Sequence, residues 1–478
     1  MSRRNTNAIF EGVDRWTVLI YLLLVVVGCI SITAASYNEE IEGLLSMSHF
    51  YMKQIVWAGI ALTAGLVVLL LDARFYHMFA YPAYCVGILL LLATLVVGKE
   101  VNGAKAWFEF GSLRVQPVEF VKIATALAVA RVMSAYSFSI NRVGDLVKVA
   151  CVIGLPLLII IMQNDTGSGI VLCSFLFVLY REGLNNWLCV PALLIAALFI
   201  FSFILTPMTM LVLLILICVI SEALMNGKIR SRVQYLAALA LGTILLHAAM
   251  RIIAPGAMDL YRCLLVVTLL SLIGVAIYAF RTNLTNIFIT MALFVGAMVF
   301  LPTTDYLFNS VLKEHQQNRI LSFLGLKSDP LGIDYNVNQA KIAIGSGGLS
   351  GKGFMDGTQI KYGFVPEKHT DFIFCTVGEE WGFLGALVLL GLFGALILRL
   401  MYLGDRQQEP FGRVYCYCVA AILLFHVMVN VGMTIGLMPV MGIPLPLISY
   451  GGSSLVAFTM LIFIAIRLDA SLRQEVRV

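Results

Sequence analysis

The sequence predicts an all-α polytopic membrane protein, and three observations support this prediction. Hydrophobic residues make up 60% of the 478 residues, charged residues only 12%, and the mean hydropathy is +0.94. Apolar stretches of about 20 residues, the length that crosses a bilayer as a helix, follow one another along most of the chain. Basic residues gather in short loops between those stretches. This composition excludes a water-soluble enzyme, a disordered chain, a coiled coil and a nucleic-acid-binding module.

Fourteen membrane-spanning helices are predicted. The first, from Trp16 to about Ser36, is expected to be an uncleaved anchor, because its apolar stretch is long for a signal peptide. The stretch 167–180 is short for a span. The predicted spans lie near 16–36, 53–71, 77–97, 118–134, 147–163, 167–180, 186–204, 207–223, 232–250, 263–280, 284–302, 371–400, 413–436 and 445–466.

The distribution of basic residues predicts which loops are cytoplasmic. With the N-terminus inside, the short basic loops and the basic C-terminal tail all fall in the cytoplasm. Arg251 and Arg262, which flank a predicted outer loop, are the exception. Both chain ends are therefore expected inside the cell, and the loops 98–117 and 303–370 outside it.

Four segments are expected along the chain. They are a first half of the membrane bundle with six spans over 1–181, inserted and connecting spans over 182–302, a large extracytoplasmic catalytic loop over 303–370, and C-terminal spans over 371–478.

The predicted outer loop 303–370 mixes aromatic residues, glycines and charges of both signs. Loops of this length are usually functional or disordered, and this composition favours an ordered, functional loop. Its glycine-rich run, Gly345 to Gly353, fails the Walker pattern, because Gly353 follows Lys352 where Ser or Thr is required. Two interpretations stay open: a turn packed on the membrane surface, or a backbone cradle for a lipid-linked pyrophosphate assisted by Lys352.

Several charged residues lie inside predicted spans, where each costs about 2.5–3.5 kcal/mol and is a functional hypothesis by default. Glu119 and Lys122 are three residues apart on one helix, so they form either a self-neutralising structural pair or a polar wall of a substrate cavity. Asp165, at the outer end of a span, is either a helix cap or a functional group. Glu379 and Glu380, about two turns into their helix, could face the same cavity.

Other polar residues are interpreted as structural. His247 is a lone histidine in a span and is expected in the core. Ser168 is expected to pack between two glycines, and Ser449 is expected at a small-residue helix interface. The ten cysteines include no CxxC pair, so they are expected to behave as small buried hydrophobes.

Several long motifs occur together in one order. They are Asn102-Gly-Ala104 with Trp107, Gln116-Pro-Val-Glu-Phe-Val-Lys122, Val365-Pro-Glu-Lys-His-Thr-Asp-Phe-Ile-Phe374 with Gly378-Glu-Glu-Trp-Gly382, and Met438-Pro-Val-Met-Gly-Ile-Pro-Leu-Pro446 with Ser449-Tyr-Gly-Gly-Ser-Ser454. In these motifs the chain resembles the SEDS family (shape, elongation, division and sporulation) over most of its length outside about 182–302. The elements Asp329-Pro-Leu-Gly332, Gly351-Lys-Gly353 and Gly357-Thr-Gln359 resemble the rod-shape branch more than the division branch.

The resemblance implies a peptidoglycan glycosyltransferase that polymerises lipid II into glycan strands at the outer face of the bacterial cytoplasmic membrane during cell elongation. It implies a class B penicillin-binding protein, a transpeptidase, as partner. It also implies a SEDS-like helical bundle of ten core spans, so this chain carries about four extra ones. Because four is even, every later motif keeps its side of the membrane.

The resemblance also assigns residues. Asp329 is similar to the essential loop aspartate of the family, and Glu119, Lys122 and Asp165 match polar positions of its central cavity. The chain departs from the family pattern at Asn164, where proline is usual, and at Val118, where serine is usual. The acidic and amide residues next to these two positions match the family. The departures are therefore expected to change the local backbone conformation more than the function of those neighbouring residues.

The implied reaction is attack of an acceptor sugar 4-hydroxyl on the anomeric carbon of the growing strand, with undecaprenyl pyrophosphate as leaving group. Asp329 is the expected general base, and Arg319, Lys122 and Lys352 are candidates to stabilise the pyrophosphate. The other expected substrate-binding residues are Glu119, Asp165, Gln339, His369, Asp371 and Glu379. No cofactor is certain; a divalent metal, Mg²⁺ or Mn²⁺, would suit the leaving group, but spacing identifies no ligand set.

Two other functions stay open from the sequence. A flippase of the lipid-linked precursor would also need many spans and intramembrane polar groups, although it leaves the Asp-Pro-Leu-Gly element of the outer loop unexplained. A non-catalytic scaffold for wall synthesis predicts that Asp329 is dispensable. The expected partners are lipid II, the nascent glycan strand, membrane lipids and the transpeptidase, and no nucleic acid.

Overall fold

The computed structural model describes residues 12–36, 50–101, 103–111, 113–185, 198–199, 201–226, 229–254, 256–282, 285–327, 332 and 334–475. The described chain is almost wholly helical, which confirms the all-α polytopic fold. Its contacts divide the chain into two units, Met1–Asn185 with Ser328–Val478, and Asn186–Lys327. Nine helices within the described ranges are long and apolar enough to cross a membrane.

Within its described residues, the first part of the first unit contains seven helices whose bounds follow the predicted spans closely. They are α1 (Arg15–Ser36), α2 (Phe50–Leu70), α3 (Ala73–Val97), α4 (Pro117–Met133), α5 (Val143–Met162), α6 (Thr166–Cys173) and α7 (Phe175–Arg181). The short stretch predicted at 167–180 is divided between α6 and α7. The span predicted near 186–204 falls mostly outside the described residues.

The predicted loop 98–117 contains a small antiparallel sheet, β1 (Lys99–Val101), β2 (Ala104–Phe110) and β3 (Leu113–Val115), in the order β1-β2-β3. Lys99 and Arg114 on the outer strands both pair with Glu109 on β2. Their hydrogen bonds hold the pKa of the half-buried Glu109 carboxyl below its usual range. Cross-strand ion pairs of this kind stabilise short strands. The sequence predicts only a loop between two spans over 98–117, and these strands were not expected from it.

Among its described residues, the second unit contains four long helices from residue 207 onwards, followed by a short one. They are α8 (Pro207–Asn226), α9 (Ile229–Ile253), α10 (Leu260–Thr282) and α11 (Thr285–Tyr306), then a π-helical turn (Leu307–Val311) and α12 (Glu314–Phe323). Buried apolar residues from α8, α9, α10 and α11, among them Leu214, Leu239, Leu264 and Phe294, form its core.

The chain returns to the first unit through two short helices and three long ones, α13 (Tyr335–Ser346), α14 (Thr358–Lys361), α15 (Ile373–Asp405), α16 (Pro410–Thr434) and α17 (Gly452–Glu475). The span predicted at 445–466 therefore begins seven residues late, at Gly452. Pro444 and Pro446 explain the difference, because neither has an N–H to donate inside a helix. Leu447 also adopts a positive φ of 65°, which ends any helical path there.

The glycine-rich run packs into a break in α15 at Gly382, whose φ is 65° and ψ −161°. We call this junction, in which the run supplies hydrogen bonds that the helix lacks, the splice. In an unbroken helix the N–H groups of residues 383 and 384 would bond to the carbonyls of residues 379 and 380. Here those two carbonyls instead accept from the N–H groups of Lys352 and Gly353, at 3.1 and 3.0 Å. The N–H groups of residues 383 and 384 donate to the carbonyls of Gly348 and Leu349, at 2.9 and 3.1 Å. All four backbone groups of the break are thus satisfied by the run.

Small residues allow helices of the first unit to approach closely. A Cβ on Gly65 of α2 would lie 2.9 Å from the ring of Phe463 on α17, and one on Gly452 would lie 2.1 Å from the ring of Trp57. Such contacts matter here because helices in lipid associate by close packing rather than by burial of apolar surface from water.

Ion pairs tie together one end of the first unit. Arg399 near the end of α15 donates to Asp14 from Nε at 2.9 Å and from Nη2 at 2.6 Å. Burial raises the pKa of Asp14, but hydrogen bonds from Arg399 and Thr17 outweigh it and hold that pKa well below its usual range. Arg413 at the start of α16 donates to Glu182 after α7, at 2.9 and 2.8 Å. These residues lie at the end that the basic loops predict to be cytoplasmic.

The splice predicts opposite effects for two glycines of the run. At Gly351, φ is +81° and an added Cβ would lie 2.1 Å from the carbonyl oxygen of Glu380, so Gly351→Ala should cost about 2 kcal/mol or more of unfolding free energy. At Gly345 in α13 an added Cβ meets nothing within 4 Å, so Gly345→Ala should be neutral or slightly stabilising. Unfolding of both variants in detergent would measure this, and equal stability would contradict the splice.

Candidate active site

A segment between α16 and α17, residues 435–451, is non-helical and lies at the end opposite the ion pairs. Ser449 joins it to the residues before α15, because its Oγ donates to the carbonyl of Thr370 at 2.7 Å. The same Oγ accepts from the N–H of Leu445 at 2.8 Å. The expectation that Ser449 sits at a helix interface is therefore wrong: it satisfies backbone groups outside any helix.

Asn430 on α16 makes a second connection between the two motif segments. Its Nδ2 donates to the carbonyl of Asp371 at 2.8 Å and to that of Ile443 at 2.7 Å. The Asp371 carboxylate lies beside Gly442, where an added Cβ would be 3.6 Å from Oδ2. The motifs around residues 365–374 and 438–454, far apart in sequence, therefore form one layer.

Aromatic rings pack on this layer around His369. Its imidazole stacks on Phe50 with ring centres 4.4 Å apart, and the ring of Tyr450 approaches edge-on at 6.1 Å. The carbonyl of His369 accepts from the N–H of Tyr450 at 2.8 Å. Burial lowers the pKa of His369 below its ordinary value and so favours the neutral imidazole.

A buried charged group lies at the centre of the unit, beneath the layer. Lys122 on α4 forms an ion pair with Glu119 at 2.8 Å, and these side chains are 2% and 3% exposed. Lys122 Nζ also lies 2.9 Å from Nε2 of His426 on α16 and above the ring of Phe458 on α17. Because an ammonium only donates, Nε2 must accept; the proton of His426 is then on Nδ1, which donates to the carbonyl of Pro444 at 3.2 Å.

Asp165 caps α6, as one of its two interpretations predicts. Its Oδ1 accepts from the N–H of Ser168 at 3.1 Å, and its Oδ2 accepts from the Ser168 hydroxyl at 2.8 Å and from Gln116 Nε2 at 3.0 Å. The preceding Asn164 has a φ of 60°, which proline cannot adopt. The departure from the family pattern at Asn164 thus coincides with a distinct local backbone, while the carboxylate keeps its cap.

Glu379 is fully buried and holds part of the loop that the sequence predicts to be outside. Its Oε1 accepts from Lys352 Nζ at 2.7 Å and from the N–H of Gln359 at 2.9 Å, and its Oε2 accepts from the N–H of Ile360 at 3.0 Å. Gly357 allows this approach, since an added Cβ would lie 2.9 Å from Oε2. Glu379 and Lys352 are thus brought together as an ion pair that clamps the loop onto α15.

The remaining expected site residues do not all lie in the first unit's described part. Gln339 lies half-buried on α13, which packs on α15 closely enough that a Cβ on Gly378 would be 2.9 Å from Ile344. Arg319 lies on α12 of the second unit. Asp329 lies outside the described residues. Among the residues that are described, no group of three or more His, Cys, Asp or Glu side chains is arranged to hold a metal ion.

Two polar residues of this site, His426 and Asn430, were not expected from the sequence. They are one helical turn apart on α16, so they share a face. Their spacing of four residues inside an apolar stretch is the signal that could have indicated a functional face. The partners could not be predicted, because Lys122 is 304 residues away.

Comparisons with known proteins identify the family of the chain. The cell cycle protein family of FtsW, RodA and SpoVE matches residues 14–212 and 208–474. The peptidoglycan glycosyltransferase RodA of Treponema pallidum is 32% identical over 450 residues, covering 92% of this chain and 94% of that protein. The peptidoglycan glycosyltransferase MrdB of Escherichia coli K12 is 31% identical over 446 residues, covering 93% and 90%.

The fold is also found in a solved structure. A chain from a peptidoglycan synthase complex, studied for its coordination of polymerization and crosslinking, superimposes with a TM-score of 0.58 at 24% identity. The match covers 97% of this chain and 99% of that one. Because the family match spans nearly the whole sequence, the chain belongs to the FtsW, RodA and SpoVE family of cell cycle proteins, the SEDS family that its motifs resemble.

Proposed function

We infer that this chain is a peptidoglycan glycosyltransferase of cell elongation. The observation that carries this conclusion is the match at 31–32% identity, over nine-tenths or more of both chains, to the peptidoglycan glycosyltransferases RodA and MrdB. The chain is a multi-pass membrane protein, as the apolar helices require.

The substrate we propose is lipid II, which carries its reactive head at the membrane surface and its tail in the bilayer. In the proposed reaction, the acceptor sugar 4-hydroxyl forms a bond to the anomeric carbon of the growing strand. The bond from that carbon to the undecaprenyl pyrophosphate oxygen breaks, and the hydroxyl proton passes to Asp329. This role for Asp329 is supported by the resemblance of its Asp-Pro-Leu-Gly element to the family motif.

We place this reaction at the outer face, with both chain ends in the cytoplasm. The support is the division of polar groups in the first unit. Basic ion pairs such as Arg399 with Asp14 lie at one end, and the layer of motifs around Asn430 lies at the other. The excess of basic residues at cytoplasmic ends of spans then favours the outer side for the motifs.

The remaining polar residues are proposed to position the site and hold the substrate. Glu379 with Lys352 fixes the outer loop, and Asp165 fixes the start of α6. His369, Asp371, Gln339 and Arg319 are candidate contacts for the sugar and pyrophosphate groups. Lys122 is proposed to act from within the bundle, because a contact with pyrophosphate would break its bonds to Glu119 and His426.

Replacing Asp329 by Asn should lower glycan polymerisation by about 10²–10⁴-fold, because the amide cannot take the hydroxyl proton. The measurement is product length on a gel after incubating the protein with accessible lipid II. Asp356→Asn, an exposed acid of the same loop, is the matched control and should keep wild-type activity. Full activity of Asp329→Asn would refute the base assignment, and translocated but unpolymerised lipid II from the wild type would favour a flippase.

Variants of the buried pair Glu119 and Lys122 should distinguish an effect on stability from an effect on catalysis. Lys122→Met leaves the Glu119 charge buried and unpaired, so it should cost about 3–5 kcal/mol of stability. Adding Glu119→Gln removes that charge and should restore much of the stability without restoring polymerisation. Unfolding and the gel assay would be run in parallel.

The control for this pair is Lys148→Met, which removes a 68% exposed lysine from a pair of the same spacing with Asp145. Asp145 keeps the N–H of Ser139 and the ion pair with Arg142, so this variant should change neither measurement. If Glu119→Gln with Lys122→Met polymerised lipid II at the wild-type rate, the buried pair would be structural only.

A class B penicillin-binding protein is the proposed partner, supported by the likeness to a chain of a peptidoglycan synthase complex. Co-expression with the transpeptidase should yield a complex that survives purification and polymerises lipid II faster than the chain alone. An unrelated single-span membrane protein, expressed to the same level, should do neither. Equal rates with both would remove the support for this partner.

A further inference from the structure

A cavity of about 90 Å³ opens among the four long helices of the second unit, α8 to α11. Most of its wall is apolar, formed by side chains such as Val219, Leu272, Met291 and Phe294. This space is sufficient for several methylene groups but too apolar for ordered water along most of its length. The cavity is separate from the motifs of the first unit, and the proposed reaction does not use it.

One part of the cavity wall carries a buried ion pair. Arg232 on α9 donates from Nη2 to Glu222 on α8 at 3.1 Å, and their side chains are 18% and 9% exposed. Thr290 on α11 donates to the other carboxylate oxygen at 3.3 Å. Glu222 therefore fixes the orientation of the guanidinium, whose Nε–H is buried and meets no acceptor among the described residues.

A purely structural ion pair would explain the bond between α8 and α9, but it leaves two observations unexplained. It does not require a cavity beside the pair, and it leaves the Nε–H of Arg232 without an acceptor among the described residues. A buried N–H without an acceptor costs about 1–3 kcal/mol, and an oxygen of an anionic ligand would remove that cost. Arginine suits this role because its planar donor group matches phosphate geometry.

The surroundings of the pair are basic. The end of α8, the start of α9, the end of α10 and the start of α11 meet at one end of the unit, because consecutive helices with short connections alternate in direction. Exposed Arg230 and Arg281 lie at this end. With Arg232 they outnumber Glu222, so this end of the unit carries a net positive charge. Basic pockets between membrane helices are suited to anionic lipid head groups.

We propose that this cavity binds an anionic glycerophospholipid from the bilayer. The phosphate accepts a hydrogen bond from Arg232 and is attracted by Arg230 and Arg281, while part of one acyl chain fills the apolar slot beside Val219 and Phe294. A free phosphate would leave this slot empty, and a zwitterionic lipid would gain less from the three arginines. The second unit thereby carries a lipid site of its own.

The test uses the full chain, delipidated in detergent, with binding of phosphatidylglycerol and phosphatidylethanolamine of identical acyl chains measured by native mass spectrometry. Phosphatidylglycerol should bind the wild type about tenfold more tightly or better. The double variant Glu222→Gln with Arg232→Gln removes both charges and keeps a polar side chain at each position, and it should lose that preference. Val219→Phe keeps the charges but fills the slot, and it should weaken binding of phosphatidylglycerol by a similar factor.

Arg251→Gln is the matched control, because it removes one exposed arginine from the other end of α9. It should bind phosphatidylglycerol as the wild type does. Equal binding of the two lipids to the wild type, or an unchanged preference in the folded double variant, would overturn the proposal. Displacement of the lipid by glycerol phosphate at equal concentration would assign the site to free phosphates instead and would likewise overturn it.

Discussion

The need to satisfy every backbone polar group inside an apolar bundle is the constraint on which the first unit depends. Non-helical backbone is tolerated at membrane depth only where protein surrounds it and supplies hydrogen-bond partners. Segment 435–451 meets this requirement through side chains: Asn430 serves two carbonyls and Ser449 serves a carbonyl and an N–H. Pro444 and Pro446 lessen the demand, because they bring no N–H of their own. The first role of Asn430 and Ser449 is therefore to hydrogen bond to backbone groups of the non-helical segment and of the residues before α15.

The same constraint governs the charged residues. The ammonium group of Lys122 donates to Glu119 and to His426. His426 in turn donates to the carbonyl of Pro444. The charged group and the non-helical segment thus depend on each other, since the imidazole has one nitrogen for each. A change at either nitrogen of His426 would affect both the lysine and the backbone above it.

The sequence predicted those features whose cause is local. Composition and apolar length predict the spans, three-residue spacing predicts contact of Glu119 with Lys122, and a polar residue at the start of α6 predicts the cap by Asp165. Features that join distant segments were not predictable in this way. The partner of Lys122 comes from α16, and Ser449 was misinterpreted because its bonds run to a segment before α15. The sheet was missed because strands of three residues carry little periodicity.

The splice between the glycine-rich run and α15 has a consequence for biosynthesis. The run precedes α15 in the chain, so it leaves the ribosome before the helix that needs it. When α15 enters the bilayer with its helical hydrogen bonding broken at Gly382, the donors and acceptors that close the break have already been synthesised. If the run followed α15 in the chain, the two carbonyls and two N–H groups at the break would lack hydrogen-bond partners until the run was translated. The order of these two segments therefore matters for insertion of the protein into the membrane.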